Sequence, residues 1–346
     1  MKTPWELLKE SKTKIKTTWR IAFVSALVLG LLIHLPVMLS DIPNHDGLSS
    51  MYFDQNMITS GRWFLTVACG FSSYFTIPWV IGLIGLIWLA LTAAVLTEVL
   101  ELTDPVTITV VSGLLVSFPA LASTFAYVFT MDGYMLALFL AVLAVLFTAK
   151  YPRGYLAGAV CLAFSMGIYQ AYLPFTILLC VYKLLLYFME EKGWKEKAKY
   201  VCHYLGMGIA GGVLYYVILQ ILLKLQGKVL DTYQGINSME QMGSGMGILA
   251  TIKGMYVDFL AFTVHGNVLV NNIFSLVACI ILVATVVFLV IRSMIWRKWW
   301  KNPAFFVIMI LLGISMPLLT NVILLISPNL TYHLLMRYQW VLYLIL

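Results

Sequence analysis

Residues 21–63 read IAFVSALVLGLLIHLPVMLSDIPNHDGLSSMYFDQNMITSGRW, an apolar run followed by a polar stretch. About 20 apolar residues suffice for an α-helix to cross the hydrocarbon core of a bilayer. The run 21–39 therefore predicts a transmembrane helix, whereas residues 40–63 are too polar to cross. The same alternation of long apolar runs and shorter polar segments continues along the chain.

The composition agrees with this pattern, because 62% of the residues are hydrophobic and only 11% are charged. A soluble domain carries about 25% charged residues. The apolar runs are continuous rather than alternating, which favours helices over a β-barrel. The sequence predicts an all-α polytopic membrane protein with about nine to ten transmembrane helices in a single domain, residues 1–346. The expected spans are about 21–39, 75–96, 106–125, 134–147, 154–168, 174–188, 201–223, 273–290 and 304–326.

The sequence also predicts where several segments outside these spans lie relative to the membrane. Residues 1–20 are basic and amphipathic, as expected of a segment on an anionic cytoplasmic leaflet. We expect a short interfacial helix at about 47–60 in the polar loop 40–74, and another at about 248–262 in the long loop 224–270. About ten apolar residues at the end of the chain resemble the start of a tenth span, so we expect a C-terminus truncated within it.

The basic residues predict the orientation. With the N-terminus in the cytoplasm, 17 of the 22 Lys and Arg residues fall in cytoplasmic segments. Such a bias is typical of bacterial inner-membrane proteins, whose cytoplasmic loops are enriched in these residues. It also accounts for the net charge of +7 without a nucleic-acid partner. The loops 40–74 and 224–270 are then on the outer face.

This topology collects polar side chains from five separate loops on the outer face. Ionisable groups at membrane depth are costly, and they commonly mark a functional site. We therefore expect a site on this face. The outer residues considered are Asp41, His45, Asp46, Asp54, Arg62, Asp132, Tyr169, Gln170, His265, His333 and Arg337.

Five short motifs support a family resemblance. They are Asn44-His45-Asp46-Gly47, Ser60-Gly61-Arg62-Trp63, Phe118-Pro119, Met131-Asp132-Gly133-Tyr134 and Gly167-Ile168-Tyr169-Gln170-Ala171. In this order they resemble the bacterial glucosyl transferase II family of O-antigen modification, within the GT-C class of polyprenyl-phosphate-dependent glycosyltransferases. The motifs cover about residues 20–190; beyond them the resemblance rests on hydrophobicity and on Arg337.

The resemblance implies a GT-C-like helical bundle with interfacial helices on the outer face. It further implies transfer of a hexose, often glucose, from a polyprenyl-phosphate donor to a cell-surface glycan. An acidic residue in the first outer loop is the expected general base, and Asp46 fits that role. Relatives carry paired acids where this chain has His45 and Asp46.

The other candidates have roles that follow from their chemistry. Arg62 suits the donor phosphate because its planar fork of donors matches phosphate oxygens. It also stands outside the basic cytoplasmic segments. Asp54 and Asp132 are further candidate catalytic acids. The remaining candidates for binding donor phosphate or substrate are Asp41, His45, Tyr169, Gln170 and Arg337.

Each candidate has a structural alternative that the sequence leaves open. Helix caps, solvated positions and interfacial anchors all use the same residue types. Asp46 and Asp132 are alternatively helix N-caps, Asp54 a solvated helix position, Arg62 a snorkelling side chain, Tyr169 and Gln170 packing in a tight turn, and Arg337 an interfacial anchor.

No cluster with metal-ligand spacing is visible in the sequence, and we expect no cofactor. A Mg²⁺ held by Asp46 and the donor phosphate is left open. The alternative function is a transporter or a flippase for lipid-linked sugars. Such proteins carry charged residues inside the spans and use paired broken helices. The predicted spans are almost free of charge, which favours chemistry at the surface.

Overall fold

In the computed structural model, all regular secondary structure of the described residues is helical. The structure describes residue 3 and residues 15–40, 57–69, 77–190, 192–231, 245–265, 272–302, 304–327 and 331–346, without the side chains at 246 and 265. The α-helices are α1 Thr17–Leu39, α2 Leu65–Ala68, α3 Pro78–Val99, α4 Pro105–Ser117, α5 Pro119–Phe125, α6 Met131–Lys150, α7 Gly154–Ile168, α8 Leu173–Met189, α9 Trp194–Leu225, α10 Gly245–His265, α11 Ile273–Trp296, α12 Phe305–Thr320, α13 Ile323–Ile326 and α14 Leu342–Ile345. Short 3-10 segments lie at Val128–Thr130, Gln170–Tyr172, Trp299–Lys301 and Leu334–Val341.

Seven of the described helical stretches are long and apolar enough to cross a bilayer. They contain α1, α3, α6, α8, α9, α10 and α11. The bent pair α4 and α5 would supply an eighth span. α7 and α12 are shorter, at 15 and 16 residues, so each is only about 22–24 Å long. The prediction of an all-α polytopic membrane protein is confirmed.

Three segments illustrate how the structure departs from the predicted bounds. α9 begins at Trp194 rather than at about 201, because the charged residues before the apolar run are good helix formers. The predicted interfacial helix at about 248–262 corresponds to α10, whose length and composition would also allow it to cross. After the last predicted span, the structure has a 3-10 helix from Leu334 to Val341.

The core of the bundle is built around α6. This helix packs between α3 and α7, while α1 packs against α3 and α4, and α9 against α7. Leu138, Ala141 and Val145 of α6 are fully buried. Gly133 at the start of α6 allows α2 to approach, because a Cβ there would lie 2.3 Å from the Cys69 sulfur. By contrast, α11 contains no buried side chain.

One end of the bundle is closed by ion pairs around Glu98. Its carboxylate is 2.6 Å from Lys16 and 2.5 Å from Lys150, and it accepts a hydrogen bond from Trp19 Nε1 at 3.0 Å. Nearby, Lys183 pairs with Glu101 at 2.8 Å. The start of α1 therefore lies beside the ends of α3 and α6. This end, which we call the basic end, carries three of the residues that the sequence assigns to the cytoplasmic side: Lys16, Lys150 and Lys183.

The bend between α4 and α5 is stabilised by side chains from two other segments. Pro119 has no N–H, so the carbonyl of Leu115 loses its usual helical donor, and the hydroxyl of Tyr338 donates to it instead. The extended backbone at Phe118 also leaves Val116 O without a helical donor, and this oxygen lies 2.8 Å from His34 Nε2. The carbonyls freed by the bend are therefore hydrogen-bonded inside the bundle.

We expect the substitution His34→Phe to destabilise the protein. A phenyl ring preserves the stack on Phe125, now at 4.0 Å and 6°, but it leaves the buried Val116 carbonyl unsatisfied. Loss of such a partner costs about 1–3 kcal/mol. Thermal unfolding in detergent measures the effect, with His203→Phe, at a ring that stacks on Tyr155, as the control. An unchanged melting temperature for His34→Phe would show that the bend does not depend on this bond.

Candidate functional site

Arg62 lies in a tight turn at the end of the bundle opposite Glu98. The turn is formed by hydrogen bonds from the Arg62 N–H to the Met57 carbonyl at 2.6 Å and from the Phe64 N–H to the Gly167 carbonyl at 2.7 Å. The second bond fixes the turn to the last residues of α7. The Gly-Arg-Trp motif and the Gly-Ile-Tyr-Gln-Ala motif, which are distant in sequence, are therefore adjacent in the structure.

Gly61 is held by Gln170 and Tyr215. The Tyr215 hydroxyl donates to the Gly61 carbonyl at 3.0 Å and accepts from Gln170 Nε2 at 2.9 Å. Gly61 has a φ of +77°, which favours glycine. A Cβ at this position would lie 2.6 Å from both the Gln170 amide nitrogen and the Tyr215 hydroxyl. The turn that presents Arg62 therefore has a single well-defined geometry.

Two stacked tyrosines support the guanidinium of Arg62. The Tyr134 and Tyr169 rings are 4.2 Å apart and nearly parallel, at 8°. Arg62 lies over the Tyr169 ring at 5.2 Å and is 3.4 Å from the Tyr134 hydroxyl. Burial raises the pKa of Tyr169, between α7 and the next 3-10 turn, well above its usual value, so its phenol stays protonated. Arg62 is thus positioned by two aromatic side chains.

A cavity of about 410 Å³ adjoins this arginine. Arg62, Gln170 and Ser327 are polar groups in a wall that is otherwise largely apolar or aromatic. An apolar cavity with a few polar side chains is the usual form of a small-molecule site. Its lining residues are Arg62, Met166, Tyr169, Gln170, Ala171, Gly212, Val213, Tyr215, Tyr216, Leu219, Leu230, Ile323, Ile326, Ser327 and Met336. The structure therefore brings Arg62, Tyr169 and Gln170 together around one cavity.

Asp132 is buried in the first turn of α6, with 3% of its surface exposed. The alternative that it caps this helix is wrong in detail, because the N-cap is Thr130 and Asp132 is the second helical residue. Its carboxylate accepts the Gly133 N–H at 2.9 Å, and a negative charge here is favoured by the helix dipole. Asp132 is two residues from Tyr134, but it does not line the cavity described above.

Arg337 lies in a second polar cluster and forms a bidentate pair with Asp258 of α10. The two hydrogen bonds measure 2.8 and 2.7 Å. The guanidinium also packs over the Tyr332 ring at 4.0 Å and the Phe262 ring at 4.7 Å. Arg337 itself is 3% exposed, and its neighbour Met336 lines the cavity. In this structure the fork of Arg337 is occupied by a carboxylate.

The other predicted site residues lie outside the described part of the chain. These are Asp41, His45, Asp46 and Asp54, together with the side chain of His265. The flanking residues are described: α1 ends at Leu39, and the chain continues at Met57 in the turn that carries Arg62. The proposed Mg²⁺ ligand, Asp46, is in the undescribed loop as well.

Two residues that contribute to these clusters were not predicted from the sequence. Tyr215 lies within the apolar run of α9, where a tyrosine carries no signal of a specific contact. Asp258 had a signal, since it is the single acidic residue in α10, a helix of the predicted outer loop. Its pairing with Arg337 joins positions 79 residues apart and could not be derived from local spacing.

For the sugar donor that the sequence predicts, we expect Tyr215→Phe to weaken binding severalfold without abolishing turnover. The substitution removes the hydrogen bonds that hold Gly61 and Gln170, each contributing about 1 kcal/mol, but it leaves Arg62 in place. The measurement is the KM for the sugar donor compared with kcat. Tyr216→Phe is the matched control, because this neighbouring cavity residue is 56% exposed. Equal KM values for the two variants would contradict a specific role for Tyr215.

Comparison with known proteins gives one family match. The family model described as "Glucosyl transferase GtrII" matches residues 35–345. The match therefore includes the Arg62 turn, the cavity and the segment that carries Arg337, well beyond the motifs noted in the sequence. No curated protein and no solved structure matches the chain.

Proposed function

The chain belongs to the GtrII glucosyl transferase family, and from this premise we propose that it transfers glucose from a polyprenyl phosphate to a cell-surface glycan. The observation that carries the proposal is the cavity beside Arg62. The lining of this cavity suits a lipid-linked donor. Its apolar wall can contact the prenyl chain, and the guanidinium of Arg62 can donate hydrogen bonds to the phosphate. A water-soluble nucleotide sugar would need more polar groups than this wall provides.

The proposed reaction is a single displacement. A hydroxyl oxygen of the acceptor glycan attacks the anomeric carbon of glucose and gives up its proton to Asp46. The bond from the anomeric carbon to the phosphate oxygen breaks, and its electron pair leaves with the polyprenyl phosphate. Arg62 stabilises the charge that develops on the leaving phosphate. Inversion at the anomeric carbon follows from this mechanism.

The aromatic support suits Arg62 for this role. A guanidinium that lies over one tyrosine ring and near the hydroxyl of another is held in a defined place. Its position is also fixed, because Gly61 is held by Gln170 and Tyr215. Preorganised donors stabilise developing charge without rearrangement during the reaction. Arg62 is therefore our candidate for the donor phosphate, with Tyr134 and Tyr169 as positioning residues.

We place this site on the outer face of the bacterial inner membrane. Arg62 contacts Tyr134 in the first turn of α6, and Lys150 ends the same helix. Lys150 is 16 positions after Tyr134, so the two residues are about 24 Å apart along the helix axis. Because Lys150 is in the basic end, the bias of basic residues towards the cytoplasm puts Arg62 on the opposite side.

A flippase for lipid-linked sugars is the remaining alternative. Transporters of this kind build their sites from pairs of broken helices in related halves. The described residues contain one bent pair, α4 and α5, and its freed carbonyls are hydrogen-bonded to Tyr338 and His34. These two carbonyls are therefore not open to a transported ligand, which supports the transferase.

The test is sugar transfer in membranes that contain the protein. Polyprenyl-phosphate glucose with a radiolabel in the sugar is added together with an isolated cell-surface glycan, and a nucleotide-activated glucose is the comparison donor. We expect label in the glycan with the polyprenyl donor alone. Label from the nucleotide sugar in the absence of polyprenyl phosphate would overturn the proposed donor. Movement of the labelled lipid across the membrane without any transfer would favour the flippase.

A further inference from the structure

A second depression lies between α8 and α12, separate from the cavity at Arg62. Its volume is about 240 Å³, and among its lining residues only Ser315 is polar. The lining residues are Val181, Leu184, Leu185, Phe188, Ile308, Leu311, Leu312, Ser315 and Leu319. We call it the α8–α12 groove. A groove with this lining on a membrane-spanning bundle matches a hydrocarbon chain and provides almost no partner for a polar ligand.

Positive charges flank one end of the α8–α12 groove. The segment that leads into α12 carries Arg297, Lys298 and Lys301, and residues 273–346 contain no Asp or Glu. The 3-10 segment Trp299–Lys301 contacts α12, and α12 contacts α8. These cations therefore lie beside one helix of the groove and are not neutralised within their own part of the chain.

A further cation contacts the groove wall directly. Lys197 Nζ donates to the carbonyl of Phe188 at 3.0 Å. Among the described residues, Lys183 and Lys192 are paired with Glu101 and Glu190. No ion pair to a described carboxylate involves Lys197 or the three cations before α12, so they are available to an anion from outside the chain.

The aromatic residues beside these cations indicate how deep in the membrane the cations lie. Arg297 lies over the Trp299 ring at 5.6 Å, and Lys301 lies over the Trp300 ring at 5.7 Å. Tryptophan is enriched at the level of the lipid headgroups, with Lys and Arg on the cytoplasmic side. The cations are thus at headgroup level, and the α8–α12 groove extends from them into the hydrocarbon region.

From this arrangement we propose that the α8–α12 groove binds one anionic phospholipid. One acyl chain occupies the groove, and the phosphate is held by Arg297, Lys301 and Lys197. Basic side chains near the surface attract anionic lipids, whereas a zwitterionic headgroup gains much less. The bound lipid joins α8 to α12 and so steadies α13, which follows α12 and carries Ile323 and Ile326 of the cavity wall.

Native mass spectrometry of the full chain tests this binding. The protein is delipidated in detergent and titrated with phosphatidylglycerol or phosphatidylcholine of the same acyl chains. We expect about tenfold tighter retention of one phosphatidylglycerol molecule. The double variant R297Q/K301Q should reduce it to the level of phosphatidylcholine. Lys224→Gln, near the other end of α9, is the control for charge and should leave the preference unchanged.

A second variant tests the groove itself. Leu312→Trp fills it and should displace the lipid, while Ile310→Trp on the same helix is the control, because this residue is 62% exposed outside the groove. The proposal is overturned if wild-type protein retains both lipids equally, or if the lipid preference survives both R297Q/K301Q and Leu312→Trp. A dimer that dissociates in Leu312→Trp without any change in lipid retention would also overturn it, since a second copy would then fill the groove.

Discussion

Arg62→Ala is expected to reduce glucosyl transfer by about 10²–10³-fold, the usual effect of losing one group that stabilises developing charge. The expectation follows from the position of the guanidinium, which lies in the wall of an apolar cavity and over the ring of Tyr169. A charge in such surroundings is screened less by water than one at the surface. Transfer by the variant should depend less on the phosphate group of the donor than transfer by the wild type does.

A matched pair of variants separates this role from a structural one. Arg62→Lys keeps the charge but loses the fork, so it should recover part of the activity and bind the donor less tightly. Arg153→Ala is the control, because it removes an arginine from the opposite, basic end of the bundle. Transfer is measured over a range of donor concentrations, with thermal unfolding in parallel. If Arg62→Ala uses the donor as well as wild type does, the guanidinium is not at the phosphate.

Sequence alone predicted the helices well because bilayer-spanning helices require long apolar runs. The predicted span 154–168 has the same bounds as α7, and the span at 174–188 differs from α8 by one residue at each end. The motif at Phe118-Pro119 also has a physical basis, since it is the point where α4 and α5 are bent by 50°. These features depend on local composition and on the chemistry of proline.

Contacts between distant segments could not be predicted in the same way. The Tyr215 hydroxyl contacts a backbone carbonyl 154 residues away, and nothing in the apolar pattern of α9 distinguishes this tyrosine from Tyr216. The motifs did indicate that Arg62, Tyr169 and Gln170 belong to one site, but not that a glycine turn and a third helix would hold them. Such geometry comes from the packing of helices, which one sequence does not encode in its spacing.

Arg337 shows a second limit of prediction from the sequence. Its position near the predicted outer face was consistent with both an anchor and a phosphate ligand. The structure pairs it with Asp258 and encloses it among aromatic rings. Breaking a buried pair by removing one partner is strongly destabilising, so a variant of Arg337 would lose stability whatever its role. Arg62 is therefore the better residue for testing donor binding by substitution.

Asp46→Asn is expected to abolish measurable transfer while the protein still binds its donor. An amide is almost the same size as a carboxylate but cannot accept a proton from the acceptor hydroxyl, and general-base catalysis contributes about 10²–10⁴-fold. Asp46 lies in sequence between Leu39, where α1 ends, and Met57, which is seven residues before the Phe64 that bonds to α7. These two flanking residues are at the same end of the bundle as Arg62.

The roles of the candidate catalytic acids are distinguished by replacing each aspartate in turn with asparagine. Asp54→Asn and Asp132→Asn should retain a larger share of the transfer than Asp46→Asn, if Asp46 is the base. Asp104→Asn is the outside control, because this carboxylate caps α4 through Thr107 at 2.8 Å and lies near the basic end. If Asp46→Asn transfers glucose at the wild-type rate, Asp46 is not the base, and the argument for Arg62 is unaffected. Loss of transfer in Asp132→Asn alone would move the base to the buried first turn of α6, beside the tyrosines that support the arginine.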